Sequence, residues 1–158
     1  MKKIVLGLII GLLGFSASAA KIKLDNKAKA EIIKTLEANE ELHASFFKYD
    51  GKNVETTAMK VSKAMGNISN KDVAKLLKHS KMMLTKIKAD SKRDENNQNY
   101  HMVSMALIHI MNKYDLGEKY SAYRCPMVKK KWIQNTKKMG RVHNPYAPSM
   151  PHCGGRLR

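Results

Sequence analysis

Cysteine, proline and acid are scarce in this chain of 158 residues, and each scarcity excludes something. There are two cysteines, with no Cys-x-x-Cys for thioredoxin-type redox work and no Cys-x-x-Cys-His for haem attachment. Acids number 13 against 30 lysines and arginines, and none lies between Lys119 and Arg158. That stretch holds ten of the cations, so it has no carboxylate with which to bind a metal. The chain also lacks a His-Glu-x-x-His, a glycine-rich phosphate loop and a Gly-x-Ser-x-Gly. No enzyme is expected. The four prolines fall at 126, 145, 148 and 151, all in the C-terminal quarter. The only long apolar run, Ile4 to Phe15, is too short to span a membrane as a helix.

That run instead has the layout of an export signal. Lys2 and Lys3 precede it, and Ala17-Ser18-Ala19 supplies a small-residue cleavage site. Residues 1–19 are therefore read as a signal peptide rather than an uncleaved amphipathic anchor, and the mature chain as periplasmic or secreted. No later segment is apolar enough to be a transmembrane span. Removing the signal leaves 139 residues, which suits one domain with a modest core. The formal charge falls from +17 to +15 with the loss of two lysines. In the cytosol so basic a chain would point to nucleic acid. Export argues against nucleic acid as a partner, and an anionic envelope surface fits better.

Four segments carry helical periodicity. The first, residues 26–49, has the stripe Ile32, Leu36, Asn39, His43, Phe46 and is stopped by Gly51. The second, 53–65, has Val54, Ala58, Val61 and Met65, with Asn53 as a candidate N-cap and Gly66 as a stop. The third, 71–89, has Val73, Leu77, Ser80, Leu84 and Ile87, capped by Asn70 or Ser69. The fourth, 94–114, has Tyr100, Val103, Leu107, Ile110 and Tyr114. Short connections favour antiparallel neighbours. The expected fold is all-α: an up-down four-helix bundle over residues 20–118, followed by an irregular tail over 119–158 packed on it.

The tail holds everything that points to a chemistry. Cys125 lies in Tyr-Arg-Cys-Pro-Met, and Cys153 in Met-Pro-His-Cys-Gly-Gly. Thiolate, thioether and imidazole are soft or borderline donors that suit Cu(I) and not Mg²⁺ or Ca²⁺. The surrounding cations favour thiolate over thiol. Two cysteines in an oxidising compartment also suit a disulfide, which across this 28-residue separation would stabilise by roughly 3–4 kcal/mol. The two readings are compatible, because one pair can switch between them.

A second cluster lies on the fourth helix. His101, Met105 and His109 recur at i, i+4 and i+8 and share a face offset from the apolar stripe. They are candidates to complete a site against the tail, although a Met-packed flank with solvent-facing histidines is the simpler reading. His43, on the first stripe, reads as a hydrogen-bonded core histidine.

Tyr123-Arg-Cys125-Pro126-Met127, Trp132, Asn144-Pro145-Tyr146 and Met150-x-x-Cys153-Gly154 together carry a resemblance. This layout resembles the domain of unknown function found alone in exported bacterial proteins and fused to the C-terminus of some heavy-metal efflux adaptor proteins. Ser104 also falls where that family places a serine. A weaker similarity is to short heavy-metal-binding modules that open with Tyr-x-Cys-Pro-Met and close on Cys-Gly. Those carry a further cysteine where this chain has Met150, so a four-thiolate site is out of reach. The resemblance implies handling of Cu(I) or Ag(I), with Zn²⁺ less suited. It also implies a metal-efflux adaptor or another envelope protein as partner. Carried over by position, the metal-binding residues would be Cys125, Met127, Met150 and Cys153. His152 adjoins the last of these, and His143 is a further candidate.

Overall fold

A computed structural model describes residues 20–157; the segment read as a signal peptide lies outside the described residues. Four helices come first: α1 (Asn26–Phe47), α2 (Gly51–Gly66), α3 (Lys71–Thr85) and α4 (Arg93–Lys113). Three begin where a short polar side chain takes an otherwise unpaired amide. Asp25 accepts from the Ala28 N–H at 2.8 Å, Asp50 from Lys52 at 3.1 Å and Asn70 from Val73 at 3.1 Å. Asp50 is thus the cap that Asn53 was expected to be, and α2 starts at Gly51. α4 has no such cap and instead places Asp94 and Glu95 in its first turn, where the helix dipole favours acids. α3 stops at Thr85 rather than reaching Ala89. The next two amides bond back to Met83 and Leu84, and the two after them are taken by neighbouring helices: Asn96 of α4 accepts from Lys88 at 3.1 Å, and Glu55 of α2 accepts from Ala89 at 2.9 Å.

The helical stripes bury as a single core. Ile32, Leu36 and Phe46 meet Val54, Ala58, Val61, Val73, Leu77, Leu84, Val103 and Leu107 within it. The helices pack in chain order, α1 on α2, α2 on α3 and α3 on α4.

The segment after α4 overturns the expectation of an all-α fold. β1 (Tyr120–Cys125), β2 (Lys130–Asn135) and β3 (Gly155–Arg156) form a three-stranded antiparallel sheet in the order β2-β1-β3. The protein is mixed α and β. The sheet escapes a search for alternating hydrophobicity because polar residues occupy its buried positions. Ser121, Gln134 and Asn135 are all buried. Gln134 is tolerated there because its amide donates to the carbonyls of Met139 (3.2 Å) and Arg141 (2.6 Å) and accepts from the His143 N–H (3.0 Å).

β2 rests on both α1 and α4. Glu40 of α1 is the main polar anchor: it accepts from the Tyr120 hydroxyl and from the Asn135 amide (2.7 Å), and pairs with Lys138 (2.8 Å). Lys119 likewise pairs with Glu37 at 2.8 Å. The acids missing from the C-terminal segment are therefore supplied by the first helix. Aromatic packing completes the junction, with Trp132 edge-on to Tyr146 (6.2 Å between centroids) and Tyr146 against Tyr100 (5.6 Å). No helix among the described residues is long and apolar enough to cross a membrane.

Candidate functional site

Register brings the two cysteines together. Cys125 ends β1, and β3 pairs with β1 so that Arg124 faces Gly155. Cys153, two residues earlier, is thereby laid beside Cys125. The sulfurs are 2.8 Å apart and unbonded. This close return depends on Gly154. Its φ is +138°, and a β-carbon there would lie 2.6 Å from Cη2 of Trp132 and 2.9 Å from the Arg124 carbonyl oxygen. Only glycine fits both the backbone and the space.

The loops around the pair are built from short-range bonds. The Asn144 side chain donates to the Cys153 carbonyl at 2.9 Å and accepts from the Tyr146 N–H at 3.0 Å. The Cys153 N–H donates to the Met150 carbonyl at 3.0 Å. Tyr146 in turn donates from its hydroxyl to the Lys131 carbonyl at 3.0 Å, with Ser104 3.4 Å away. Asn144, Tyr146 and Ser104 thus hold the site up without lining the sulfurs as a group. All three belong to the sequence motifs, but nothing in their spacing reveals this supporting role.

The two sulfurs differ electrostatically. Burial raises the Cys125 thiol, but the hydrogen bonds it receives from Cys153, the backbone N–H groups of Val128 and Met127, and the Asn144 side chain outweigh it, so the thiol ionises more readily than usual. Cys153 is pushed the other way, first by its hydrogen bond to Cys125 and then by burial and the neighbouring thiolate charge.

The remaining candidates scatter. Met127 is 68% exposed and Met150 37%. His152 is exposed, and its Nδ1 lies 2.8 Å from the Val142 carbonyl. A carbonyl only accepts, so Nδ1 is the donor in this contact. His143 is half-buried, stacked on Phe47 (3.4 Å between centroids), with Nδ1 3.2 Å from Nε2 of His43. Burial, and then the positive charge of His143, lower the pKa of His43 to about 3. His43 is thus a neutral core histidine.

The helical trio is not assembled as a ligand set. His101 Nδ1 accepts from the Lys131 N–H at 3.1 Å and so serves as a tie between α4 and β2. Met105 is half-buried and His109 is exposed to solvent. Among the described residues no three His, Cys, Asp or Glu side chains are grouped to hold a metal ion. The arrangement offers two adjacent thiols, one predisposed to ionise, with thioethers and one imidazole in the turns that carry them.

No protein-family model, curated protein or solved structure matches this chain.

Proposed function

We propose that this protein is an exported soft-metal-binding module that buffers or delivers Cu(I) or Ag(I) in connection with heavy-metal efflux. The observation that carries this reading is the 2.8 Å approach of Cys125 and Cys153 in a segment without carboxylates. Two thiolates are enough for Cu(I), whereas Zn²⁺ normally seeks four nitrogen or sulfur ligands. Met150, Met127 or His152 would add a third donor from the adjoining turns. Metal–sulfur bonds of about 2.3 Å place two sulfurs roughly 4.0 Å apart at a trigonal metal and about 4.6 Å apart at a linear one. Binding therefore requires Cys153, the less buried of the two, to move outward by roughly 1–2 Å. The layout of the Cys-Pro-Met and Cys-Gly motifs supports the same assignment, with an efflux adaptor or another envelope protein as partner.

A second reading rests on the same distance. It is closer to a disulfide, about 2.05 Å, than to a chelate, and so favours a disulfide-stapled, non-catalytic interaction module with a basic envelope-facing surface. Competition against a Cu(I) chelator separates the two, alongside a thiol count on the protein as purified. Reduced wild type should outcompete the Cys125→Ser, Cys153→Ser double variant. Equal competition by both would reject the metal site and leave the stapled module.

A further inference from the structure

The two sulfurs differ in access. The side chain of Cys125 is fully enclosed, at 0% exposure, where β1 turns into Pro126. Cys153 is only partly buried, in the turn that precedes β3. Thiol–disulfide exchange needs an attacking thiolate that can reach the sulfur it bonds to. Access therefore selects Cys153 as the sulfur attacked and Cys125 as the one expelled. The exposed thioethers of Met127 and Met150, in the two turns that carry the cysteines, give an attacking protein an apolar rim.

We propose that Cys125 and Cys153 form a reversible disulfide, opened by a protein dithiol that attacks Cys153 and expels Cys125. This rests on the soft-metal reading for its purpose, since only the opened pair presents thiolates, and it makes the site redox-gated. In the first step a reductant thiolate bonds to Cys153 Sγ. The Cys125–Cys153 bond breaks, and its electron pair goes to Cys125 Sγ. In the second step the reductant's other thiol loses its proton and attacks its own first sulfur. Cys153 then leaves as a thiolate and takes up a proton. The reductant becomes a disulfide, losing two electrons, and the Cys125–Cys153 pair gains them. An oxidised member of the same dithiol class runs the sequence backwards.

The test uses the full mature protein, oxidised and metal-free. It is mixed with a thioredoxin-type reductant whose resolving cysteine is changed to serine, and quenched within seconds by iodoacetamide. Peptide mass spectrometry then locates the mixed disulfide and the alkylated sulfur. The adduct should lie on Cys153 and the alkyl group on Cys125, by a margin of about tenfold or more. An adduct on Cys125, an even split, or a protein that keeps two free thiols under oxidant would each overturn the proposal. No metal is present, so a wrong attack site here and a failed Cu(I) competition are separate results.

Discussion

Gly154 sits directly over the indole of Trp132, so close that a β-carbon would fall 2.6 Å from Cη2. Gly154→Ala must therefore displace the indole or pull the chain off β1, against a φ that an L-residue rarely adopts. A loss of roughly 2–3 kcal/mol in urea unfolding is expected, with faster alkylation of Cys125. Gly155→Ala is the control, because a β-carbon there meets nothing within 4 Å, and it should stay within about 0.5 kcal/mol. Equal effects at the two glycines would contradict the packing.

Glu40 and Glu41 are neighbours in sequence with opposite expectations. Glu40, whose side chain is 13% exposed, serves Tyr120, Asn135 and Lys138 together. Glu41 has only Lys60, in a pair where both side chains are more than half exposed. Glu40→Ala should cost about 2 kcal/mol or more, since it strands buried donors. Glu41→Ala should cost less than about 1 kcal/mol. Hydrogen exchange checks where the loss falls: the β1 and β2 amides should open ahead of those in α2 and α3.

Acid should weaken the fold through His43. Its ordinary pKa of 6.5 falls to about 3 on folding, so the unfolded chain takes up a proton that the folded one refuses. The stabilisation is complete above pH 6.5 and is lost as pH falls from there towards 3, at a slope on the order of 1 kcal/mol per pH unit. Burial, and then His152, lower His143 as well, and this adds in the same direction. Urea midpoints at stepped pH should show this decline, and His43→Phe should flatten it. An unchanged slope in that variant would place the acid sensitivity elsewhere.

Two buried tyrosines should respond differently to loss of the hydroxyl. Tyr146 donates to the Lys131 carbonyl, so Tyr146→Phe should cost about 1 kcal/mol. The Tyr100 hydroxyl is buried beside Ser104 and Asn39 without a well-formed hydrogen bond to either. Tyr100→Phe should be neutral or slightly stabilising, because it removes an unsatisfied polar atom. Thermal unfolding of the pair decides the matter, and a larger loss at Tyr100 would contradict it.

The helices were legible because each buries one stripe at a spacing that only a helix satisfies. Their ends were less so. Asp50 as the α2 cap was hidden by Gly51, which reads as a stop for the preceding helix. The sheet was illegible for a different reason. β2 is Lys-Lys-Trp-Ile-Gln-Asn, with its last four residues buried, so neither alternation nor an apolar run marks it. Its buried Asn135 is satisfied by Glu40, 95 residues away, and no local pattern encodes that. The one local trace of a hairpin is the pair of six-residue segments around Pro126-Met127-Val128-Lys129. At the site, the meeting of the two sulfurs could be anticipated from a pair of cysteines flanking a returning loop. The regular His101, Met105, His109 spacing could not decide between a ligand set and a packed flank, because helical periodicity says which side chains share a face and not what that face meets.

That 95-residue reach between Glu40 and Asn135 also sets an order of events. Helix pairs close over short chain lengths and form early, whereas the sheet must wait for the ends of the chain to meet. Until α1 is in place, β2 has no surface to rest on and the return that carries Cys153 has nothing to align it. The newly made chain therefore passes through a stage in which its two thiols act independently, each open to oxidants and metals alone. The pair becomes one chemical unit only when the first helix has captured the last strands.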